Sequence, residues 1–446
     1  MVLGGLSTYG KVGILATLSI SNFLSIKKAK IPLRRINIFI GPQAQGKSVI
    51  SKLIYFFKDI PFMIYDEVGE GVGKRKFESL CRVQFENIFP SYAWERNAFA
   101  IVYDAGCHKI IIENQLLGNK LKFSIVYSES IGKALAAGRR AIKLSSSMDN
   151  SFNMIHRSRP NTGKMVREAV TAALYGENGS RKLEEVIYIP AGRSFFSNLQ
   201  KSLFSFISSN IPIDYFLKEF GSVYEASRES TFLRGANRAR PKNVQKIVDE
   251  LLCGKYVHDK GQDWIEGERG RVNLSNSSSG QQEVLPMAMV LSSLPYATSA
   301  AFLRSFVIEE PEAHLFPVAQ GQVVSLIASA YNAGMSSGDF VITTHSPYIL
   351  TALNNLIQAD NTVRSFDDAE LANVVYDIIP VDEHVKFEDV AAFIVDSGHV
   401  RSILDPEYRL IQAEVIDGVS DHFSTRFEKL IEIEMSNSEE GRDDLI

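Results

Sequence analysis

Residues 35–48 read Arg-Ile-Asn-Ile-Phe-Ile-Gly-Pro-Gln-Ala-Gln-Gly-Lys-Ser, and the fold is organised around this stretch. The alternating isoleucines predict a strand over residues 35–40. Apolar residues at helical spacing over residues 49–57 predict a helix that extends over about residues 48–59. The loop between them has the spacing Gly-x-x-x-x-Gly-Lys-Ser, which is typical of loops that hold a phosphate chain between a strand and a helix. The sequence therefore predicts an α/β fold built around a phosphate loop.

Each residue type in this loop has a chemical reason. Glycines leave room for the loop amides to turn inward, and the first amides of the following helix attract the same negative charge. Lys47 is expected to reach the outer phosphates as a point charge, and the Ser48 hydroxyl is expected to join a Mg²⁺ shell. The residues expected to hold the phosphates are Gly41, Pro42, Gln43, Ala44, Gln45, Gly46, Lys47 and Ser48. The alternative is a chance match on a glycine-containing turn, against which the flanking strand and helix argue.

The composition is that of an ordinary globular protein. The chain has 446 residues, 45% hydrophobic and 22% charged, and its net charge is −4 at pH 7. This balance gives no overall attraction to nucleic acid or anionic membranes, so any such contact needs a local patch. Three cysteines far apart fit neither a disulfide framework nor a metal cluster and indicate a cytoplasmic location. The apolar run at residues 284–308 is interpreted as a buried helix and strand, and no membrane partner is expected.

Three further segments carry polar residues that suit the same chemistry. One segment lies at the predicted start of an apolar helix and consists of Ser278, Ser279, Gly280 and Gln281. A serine-glycine segment at a helix N-terminus is an arrangement that binds anions. An apolar strand at residues 306–308 ends in Glu309 and Glu310, which suits a metal-linked carboxylate followed by a water-orienting one. Another apolar strand at residues 340–342 leads to His345, which could bond a terminal phosphate. The alternatives are a common serine turn, two solvated acids and a structural histidine.

The motifs in their order resemble the ABC-type ATPase heads, in particular the RecF/SMC/OLD branch. The segments that carry this resemblance are Ile20-Ser-Asn-Phe, the phosphate loop, Glu309-Glu-Pro-Glu-Ala-His-Leu and Thr343-Thr-His-Ser-Pro. The resemblance covers roughly residues 14–58 and 185–352. The resemblance implies ATP and Mg²⁺ as cofactors and ATP hydrolysis as the activity.

The resemblance also implies roles for single residues. Lys47 and Ser48 would bind phosphates and Mg²⁺, Glu309 would lie near the metal, Glu310 would polarise water and His345 would be the switch histidine. The segment 278–281 would be the signature motif, which contacts the nucleotide of the opposite subunit in a head-to-tail dimer. Ser279 departs from the usual glycine, which weakens the expectation of close approach there. Gln84 is the candidate for the family's metal-contacting glutamine loop.

The fold expected from this resemblance is a single head over residues 1–446, with a mixed or parallel sheet, an antiparallel β subdomain and a helical lobe. Residues 60–184 are expected to interrupt it with a meander (99–103, 109–113 and 120–127) and a basic, partly helical segment. Residues 195–270 are expected to form an aromatic and basic helical lobe. Residues 350–446 are expected to close the head with a helix at 348–356, a strand at 374–380 and a final helix at 411–434.

The sequence leaves three functions open. The tail has no Asp-x-Asp pair, and Asp382, Glu388 and Asp389 are interpreted as surface acids, so cleavage of nucleic acid is not expected. The pattern is similar to the ATPase subunits of two-gene anti-phage systems such as Septu, retron and PARIS types, which implies a separate nuclease or toxin as partner. The alternatives are a RecF-like repair ATPase that binds DNA directly and a scaffold that barely hydrolyses ATP.

Two basic clusters bear on the choice between these functions. Their members are Arg139, Arg140, Lys143, Arg157, Arg159 and Lys164 in the first cluster, and Arg234, Arg238, Arg240, Lys242 and Lys246 in the second. A solvated linker is the simpler interpretation of the second cluster, and contact with nucleic acid or a partner protein is the alternative.

Overall fold

The computed structural model describes residues 16–69, 73–151, 162–176, 182–199, 213–228, 240–297, 301–334, 337–365, 368–412 and 428–430. Within these ranges the chain has an α/β fold with one large mixed sheet and helices on both of its faces. The predicted fold class is therefore confirmed.

The strands in chain order are β1 (Ala16–Phe23), β2 (Ile26–Leu33), β3 (Ile36–Ile40), β4 (Phe99–Asp104), β5 (Lys109–Leu117), β6 (Lys120–Tyr127), β7 (Glu184–Ile189), β8 (Lys255–Asp259), β9 (Gln262–Gly267), β10 (Gly270–Asn273), β11 (Leu303–Glu309), β12 (Ser337–Thr344), β13 (Val390–Asp396), β14 (His399–Ser402), β15 (Leu404–Asp405) and β16 (Leu410–Ile411). The large sheet has the order β6-β5-β4-β1-β2-β14-β13-β3-β12-β11-β7. Strands β8, β9 and β10 form a second sheet, and β15 pairs with β16.

One half of the large sheet is parallel and positions the candidate site. Strands β13, β3, β12, β11 and β7 run in the same direction. The carboxyl ends of parallel strands lie at one edge of a sheet, so the segments that follow them meet there. At this edge lie the phosphate loop after β3, Glu310 after β11, His345 after β12 and residues 190–193 after β7.

The other half of the sheet is antiparallel and contains the predicted meander. Strands β4, β5 and β6 pair in sequence, and β4 also pairs with β1. The meander is therefore confirmed, and it extends the main sheet. Strand β14 links the two halves, because it pairs with β13 on one side and with β2 on the other.

The helices in chain order are α1 (Lys47–Gly69), α2 (Lys74–Ile88), α3 (Glu129–Ser151), α4 (Thr162–Tyr175), α5 (Phe195–Leu199), α6 (Tyr215–Arg228), α7 (Lys242–Leu251), α8 (Ser279–Leu291), α9 (Pro317–Tyr331), α10 (Pro347–Ser365) and α11 (Ala369–Ile378). The predicted buried helix and strand at residues 284–308 are confirmed by α8 and β11. Among the helices of the described ranges, none combines the length and apolarity needed to cross a bilayer.

The sheet separates two hydrophobic cores. Ile36, Ile38 and Ile40 of β3 face the core that includes residues of α8 and α9, whereas Phe39 faces the core that includes residues of α1. Because both faces are covered, every residue of β3 is buried. Each such apolar side chain contributes about 2 kcal/mol to stability, and together they fix the strand that carries the phosphate loop.

The structure contradicts the strand predicted at residues 374–380 and the predicted start of the final helix. Residues 374–378 belong to helix α11, because Asp368 caps that helix: its Oδ1 accepts hydrogen bonds from the amides of Glu370 at 2.8 Å and Leu371 at 3.4 Å. The run of β-branched residues, which favoured a strand, is outweighed by this cap. The final helix does not begin at Ile411, which ends strand β16. Most of the predicted final helix lies outside the described residues, namely 413–427 and 431–434. Residues 428–430 are described and are helical.

The expected closing extension also contains a strand that the sequence did not reveal. Strand β13 lies directly beside β3 in the interior of the sheet.

The three acids expected at the surface are half-buried and bonded. Asp389 Oδ2 accepts the Tyr331 hydroxyl at 2.5 Å, Asp382 Oδ2 accepts from Asn243, and Glu388 pairs with Arg364 and Arg409.

Candidate functional site

The phosphate loop requires glycine at both of its ends. Gly41 and Gly46 have positive φ angles of 150° and 103°. A Cβ atom at Gly41 would lie 2.2 Å from the Val395 carbonyl oxygen, and one at Gly46 would lie 2.5 Å from Ser25 Oγ. The loop is therefore held between the β1–β2 turn and strand β13, and a larger residue at either end would displace it.

The middle of the phosphate loop is exposed to solvent, and its end is held by the turn between β13 and β14. Pro42, Gln43 and Ala44 are exposed. Gln45 Oε1 accepts a hydrogen bond of 2.8 Å from the amide of Ser397, in the turn between β13 and β14. Ser397 was not predicted to support the loop, since β13 itself was missed.

Lys47 begins helix α1 and extends into the loop. Its Nζ donates hydrogen bonds of 2.7 Å to the carbonyl oxygens of Gly41 and Pro42 and lies 3.3 Å from His345 Nδ1. Burial lowers the pKa of Lys47, and the nearby carboxylates of Glu310 and Glu312 oppose that change. The ammonium group is thus a buried donor bonded to two carbonyl oxygens of the loop that was predicted to hold the phosphates.

Glu309 fits a metal ligand by its own contacts. The residue is 8% exposed at the end of β11, where Oε2 accepts a long 3.5 Å hydrogen bond from the Ala191 amide and the Tyr188 hydroxyl is a neighbouring hydrogen-bonding group. Oε1 is buried and has no hydrogen-bond partner in the described structure. A buried carboxylate oxygen without a donor is costly unless a cation satisfies it. Ser48 is exposed in the first turn of α1, where its hydroxyl is accessible for the predicted Mg²⁺ shell.

Glu310 has an unusual backbone that directs its side chain. Its φ is +43°, in the left-handed region, and its amide donates a 2.9 Å hydrogen bond to the Thr343 carbonyl. The side chain is 42% exposed, and its Oε1 lies 3.4 Å from His345 Nε2. A non-glycine residue in this conformation persists where its surroundings impose it, as they do at many functional sites. The structure thus brings Lys47, His345 and Glu310 together.

Glu312 supports His345 and was not identified from the sequence. Its Oε1 accepts hydrogen bonds of 2.7 Å from both Thr344 Oγ1 and the His345 amide. These bonds fix the end of β12 relative to the turn after β11. A carboxylate two residues beyond Glu310 was present in the quoted motif, but its bond to the neighbouring strand depends on the fold.

The segment 278–281 forms the exposed start of helix α8. Ser278 and Ser279 are exposed, and Ser278 caps the helix reciprocally with Gln281. Gln281 Nε2 also donates a 2.6 Å hydrogen bond to the Leu252 carbonyl, so its side chain is occupied within its own chain. A Cβ atom at Gly280 would lie 2.9 Å from the His314 carbonyl oxygen, which explains the glycine there.

The structure separates Gln84 from this site. Its Nε2 donates a 2.9 Å hydrogen bond to Asp59 Oδ2 on α1. Asp59 is twelve residues after Lys47 on the same helix, which is about 18 Å along the axis. The suggested metal contact of Gln84 is therefore wrong. The prediction for Gln84 rested only on its order along the chain. In the structure Gln84 lies on helix α2, which packs against the middle of α1.

The Asp59 carboxyl gives a prediction for stability. Burial raises the pKa of Asp59 to about 6, against the hydrogen bond from Gln84. The folded state therefore binds a proton more tightly than the unfolded chain, and this contribution to stability is lost as pH rises from about 4 to about 6. Asp59→Asn should accordingly raise the free energy of unfolding at pH 8 by on the order of 2 kcal/mol, measured by urea denaturation.

The matched control is Asp377→Asn, which changes an exposed acid on helix α11, away from Asp59. It should leave the pH dependence as in the unmodified protein, and the effect of Asp59→Asn should shrink as the pH is lowered toward 5. Equal stability of Asp59→Asn and unmodified protein at pH 8 would show that the fold does not raise the pKa of Asp59.

Comparisons with known proteins give a partial family match. A model described as AAA ATPase domain matches residues 194–350, about a third of the chain. This segment includes helix α8, Glu309, Glu310 and His345, and it leaves out the phosphate loop. No curated protein is significantly similar in sequence.

Several solved structures are similar over most of their length. They include an Smc head bound to the C-terminal winged-helix domain of ScpA (TM-score 0.39, 11% identity, 87% of this chain and 96% of that chain). The SMC head domain from Thermotoga maritima has a TM-score of 0.35 at 11% identity and covers 87% and 97% of the two chains. The recombination mediator RecF has a TM-score of 0.31 at 12% identity, with coverage of 87% and 97%.

Proposed function

We propose that the chain binds ATP with Mg²⁺ and hydrolyses it to ADP and phosphate. The observation that carries this proposal is the meeting of Lys47, His345 and Glu310 beside the phosphate loop, with distances of 3.3 Å from Lys47 Nζ to His345 Nδ1 and 3.4 Å from His345 Nε2 to Glu310 Oε1. A cation, an imidazole and a partly exposed carboxylate at a glycine loop suit phosphoryl transfer, which depends on positioning and charge stabilisation. The partial match to an AAA ATPase domain supports the same activity.

In this proposal each residue has a role that its contacts support. Glu310 accepts a hydrogen bond from the attacking water and orients it. His345 donates toward the terminal phosphate, while Glu312 holds its backbone amide. Lys47 balances the charge of the outer phosphates. Glu309 and Ser48 hold Mg²⁺, which when bound supplies positive charge to the phosphate oxygens.

We propose further that a second copy of the chain completes the site. Ser278 and Ser279 are exposed at the start of α8, and the first amides of a helix attract negative charge. In a head-to-tail dimer each of these helix starts would lie over the nucleotide of the other copy. Closure of the dimer would exclude water and complete the charged shell around the phosphates.

The proposed output is nucleotide-gated control of a separate effector protein, a nuclease or toxin, in cytoplasmic anti-phage defence. Helix α11 offers a surface for such a partner. Leu371, Val374 and Ile378 lie at helical spacing and are 45%, 58% and 75% exposed. Exposed acids flank this apolar stripe, so a partner with an apolar face and a basic rim would match it.

The alternative output is a RecF-like repair activity with direct DNA binding. Exposed basic residues on the α3–α4 pair favour it: Lys133, Arg140, Lys143 and Lys164. The neighbouring Arg139 is half-buried, and Arg157, Arg159, Arg234 and Arg238 lie outside the described residues. DNA binding through this patch would weaken steeply as salt is added, because phosphate contacts release counterions.

Co-purification from the native operon tests the two outputs. Glu310→Gln would hold the ATP-bound state, and a discrete partner with a nuclease or toxin active site would support the effector role. Ile378→Lys should then release that partner without changing ATP turnover, whereas Tyr408→Lys, at another exposed position, should not. A lone dimer that retains DNA, and that loses it with Arg140→Glu, would favour the repair role.

A further inference from the structure

A buried arginine joins the turn after β11, which carries Glu310, to helix α8, the proposed signature helix. Arg193 follows strand β7 and is fully buried. Its guanidinium donates to four backbone carbonyls: Pro190 at 2.9 Å, Glu309 at 2.8 Å, Glu310 at 3.0 Å and Glu283 at 2.9 Å. A buried charge costs several kcal/mol unless its donors are paired, so this arrangement has to be maintained by the surrounding fold.

On one side Arg193 holds the turn that carries the proposed water-orienting group. Nη2 bonds the carbonyl of Glu310, the residue with φ of +43°. The same carbonyl accepts the Ala313 amide at 3.1 Å, and the Glu310 amide is bonded to Thr343. The unusual backbone of Glu310 is thus fixed at both of its polar groups.

On the other side Arg193 holds helix α8. Its Nε bonds the Glu283 carbonyl, and its own amide donates to Glu283 Oε2 at 2.9 Å. The Ser194 amide donates to Glu283 Oε1 at 3.1 Å. Glu283 lies five residues after Ser278, so a movement at the start of α8 would be felt at this carboxylate.

We infer that Arg193 is a positioning residue, which sets the Glu310 carboxylate through its backbone and couples that setting to the signature helix. The inference rests on the proposed ATP hydrolysis. Its physical basis is that one planar guanidinium bonds three separate segments in fixed geometry. A lysine keeps the charge but presents a single ammonium group without that planar fork.

The test is Arg193→Lys, with Arg304→Lys as the matched control. Arg304 is also a largely buried arginine; its side chain bonds Glu185 and the Leu294 carbonyl at the other end of β11. Arg193→Lys should lower kcat by about 10–100-fold, because small displacements of a catalytic group cost this much. The Kd for ATP, measured without Mg²⁺ so that the bond from Arg193 to Glu309 does not enter, should stay within about twofold, since Arg193 does not contact the phosphate loop. Arg304→Lys should change neither quantity.

Two further readouts separate positioning from general loss of stability. In a Glu310→Gln background, Arg193→Lys should cause no further loss of kcat, because the group it positions is already disabled. Without nucleotide, Arg193→Lys should increase amide hydrogen exchange in residues 309–314, and Arg304→Lys should not. Glu283→Gln, which leaves the guanidinium in place, should lower kcat by about 10-fold through α8.

The outcomes are distinguishable from a failure of the proposed function. If the unmodified protein does not hydrolyse ATP, the proposed function fails, while hydrogen exchange still tests whether Arg193 holds the turn. If the unmodified protein hydrolyses ATP and Arg193→Lys keeps its kcat, the inference is overturned. Additive losses in the double variant would also overturn it. If Arg193→Lys does not fold, an unchanged kcat in Glu283→Gln would overturn the coupling to α8.

Discussion

Lys47→Ala is expected to abolish measurable binding of ATP. The ammonium group lies inside the phosphate loop, bonded to the carbonyl oxygens of Gly41 and Pro42 at 2.7 Å. Removing it takes away the charge expected to meet the outer phosphates and leaves two carbonyl oxygens facing them. Charge-assisted bonds contribute about 1.5–3 kcal/mol each, so the loss of two corresponds to a rise in Kd of roughly 10²–10⁴-fold.

The measurement is equilibrium binding of a fluorescent ATP analogue in the presence of Mg²⁺. Lys47→Met is the sharper variant, because it keeps most of the side-chain volume and removes only the charge. Lys52→Ala, on the same helix, is the control and should bind as the unmodified protein does. Tight binding by Lys47→Met would mean that the loop does not hold the phosphates.

The sequence was sufficient for those parts of the site that are encoded locally. The phosphate loop, Glu309, Glu310 and His345 each follow a short apolar strand, and the strand pattern with its polar end is visible in a few residues. The parallel arrangement then brings these strand ends to one edge. The structure places Lys47, His345 and Glu310 beside one another, as the motif order indicated.

The parts that were missed depend on contacts between distant segments. Strand β13 reaches the centre of the sheet through its pairing with β3, more than three hundred residues earlier. Arg193 shows no pattern in its neighbours that distinguishes it from a solvated residue after a strand. Its importance comes from the meeting of β7, β11 and α8 around one guanidinium. The predicted metal contact of Gln84 was wrong for a related reason, because order along the chain does not give distance in space.

Local signals can also conflict, and packing does not always decide between them. The β-branched run in α11 favoured a strand, whereas Asp368 at its start favoured a helix. None of the residues of α11 is buried, so packing against the core does not explain the choice. The cap is the feature in the sequence that would have corrected this prediction.

Glu310→Gln is expected to lower kcat by about 10²–10⁴-fold while leaving ATP binding nearly unchanged. The substitution keeps the shape of the side chain and removes its ability to act as a base. The backbone of Glu310 is held by Arg193 and Thr343, and neither bond involves the carboxylate. The side chain is not bonded to the phosphate loop in the described structure, so the Kd should change by no more than a few-fold.

Steady-state phosphate release and equilibrium binding together measure this effect. Glu407→Gln, an exposed acid in the β15–β16 turn, is the control and should keep full turnover. Turnover of Glu310→Gln at the rate of the unmodified protein would remove Glu310 from its proposed role. If the unmodified protein itself binds ATP tightly but turns it over hardly at all, the non-enzymatic scaffold becomes the better explanation.

The same variant tests whether the site is shared between two copies. If closure over ATP requires the exposed start of α8, Glu310→Gln with ATP and Mg²⁺ should form a stable dimer, measured by light scattering after size exclusion. Adding Ser279→Arg should prevent that dimer, because a long cation would replace the close approach of the helix start. Ser279 is exposed, so the fold should tolerate the change. A dimer that persists with Ser279→Arg would place the interface elsewhere and overturn the proposal that the start of α8 completes the site of the other copy.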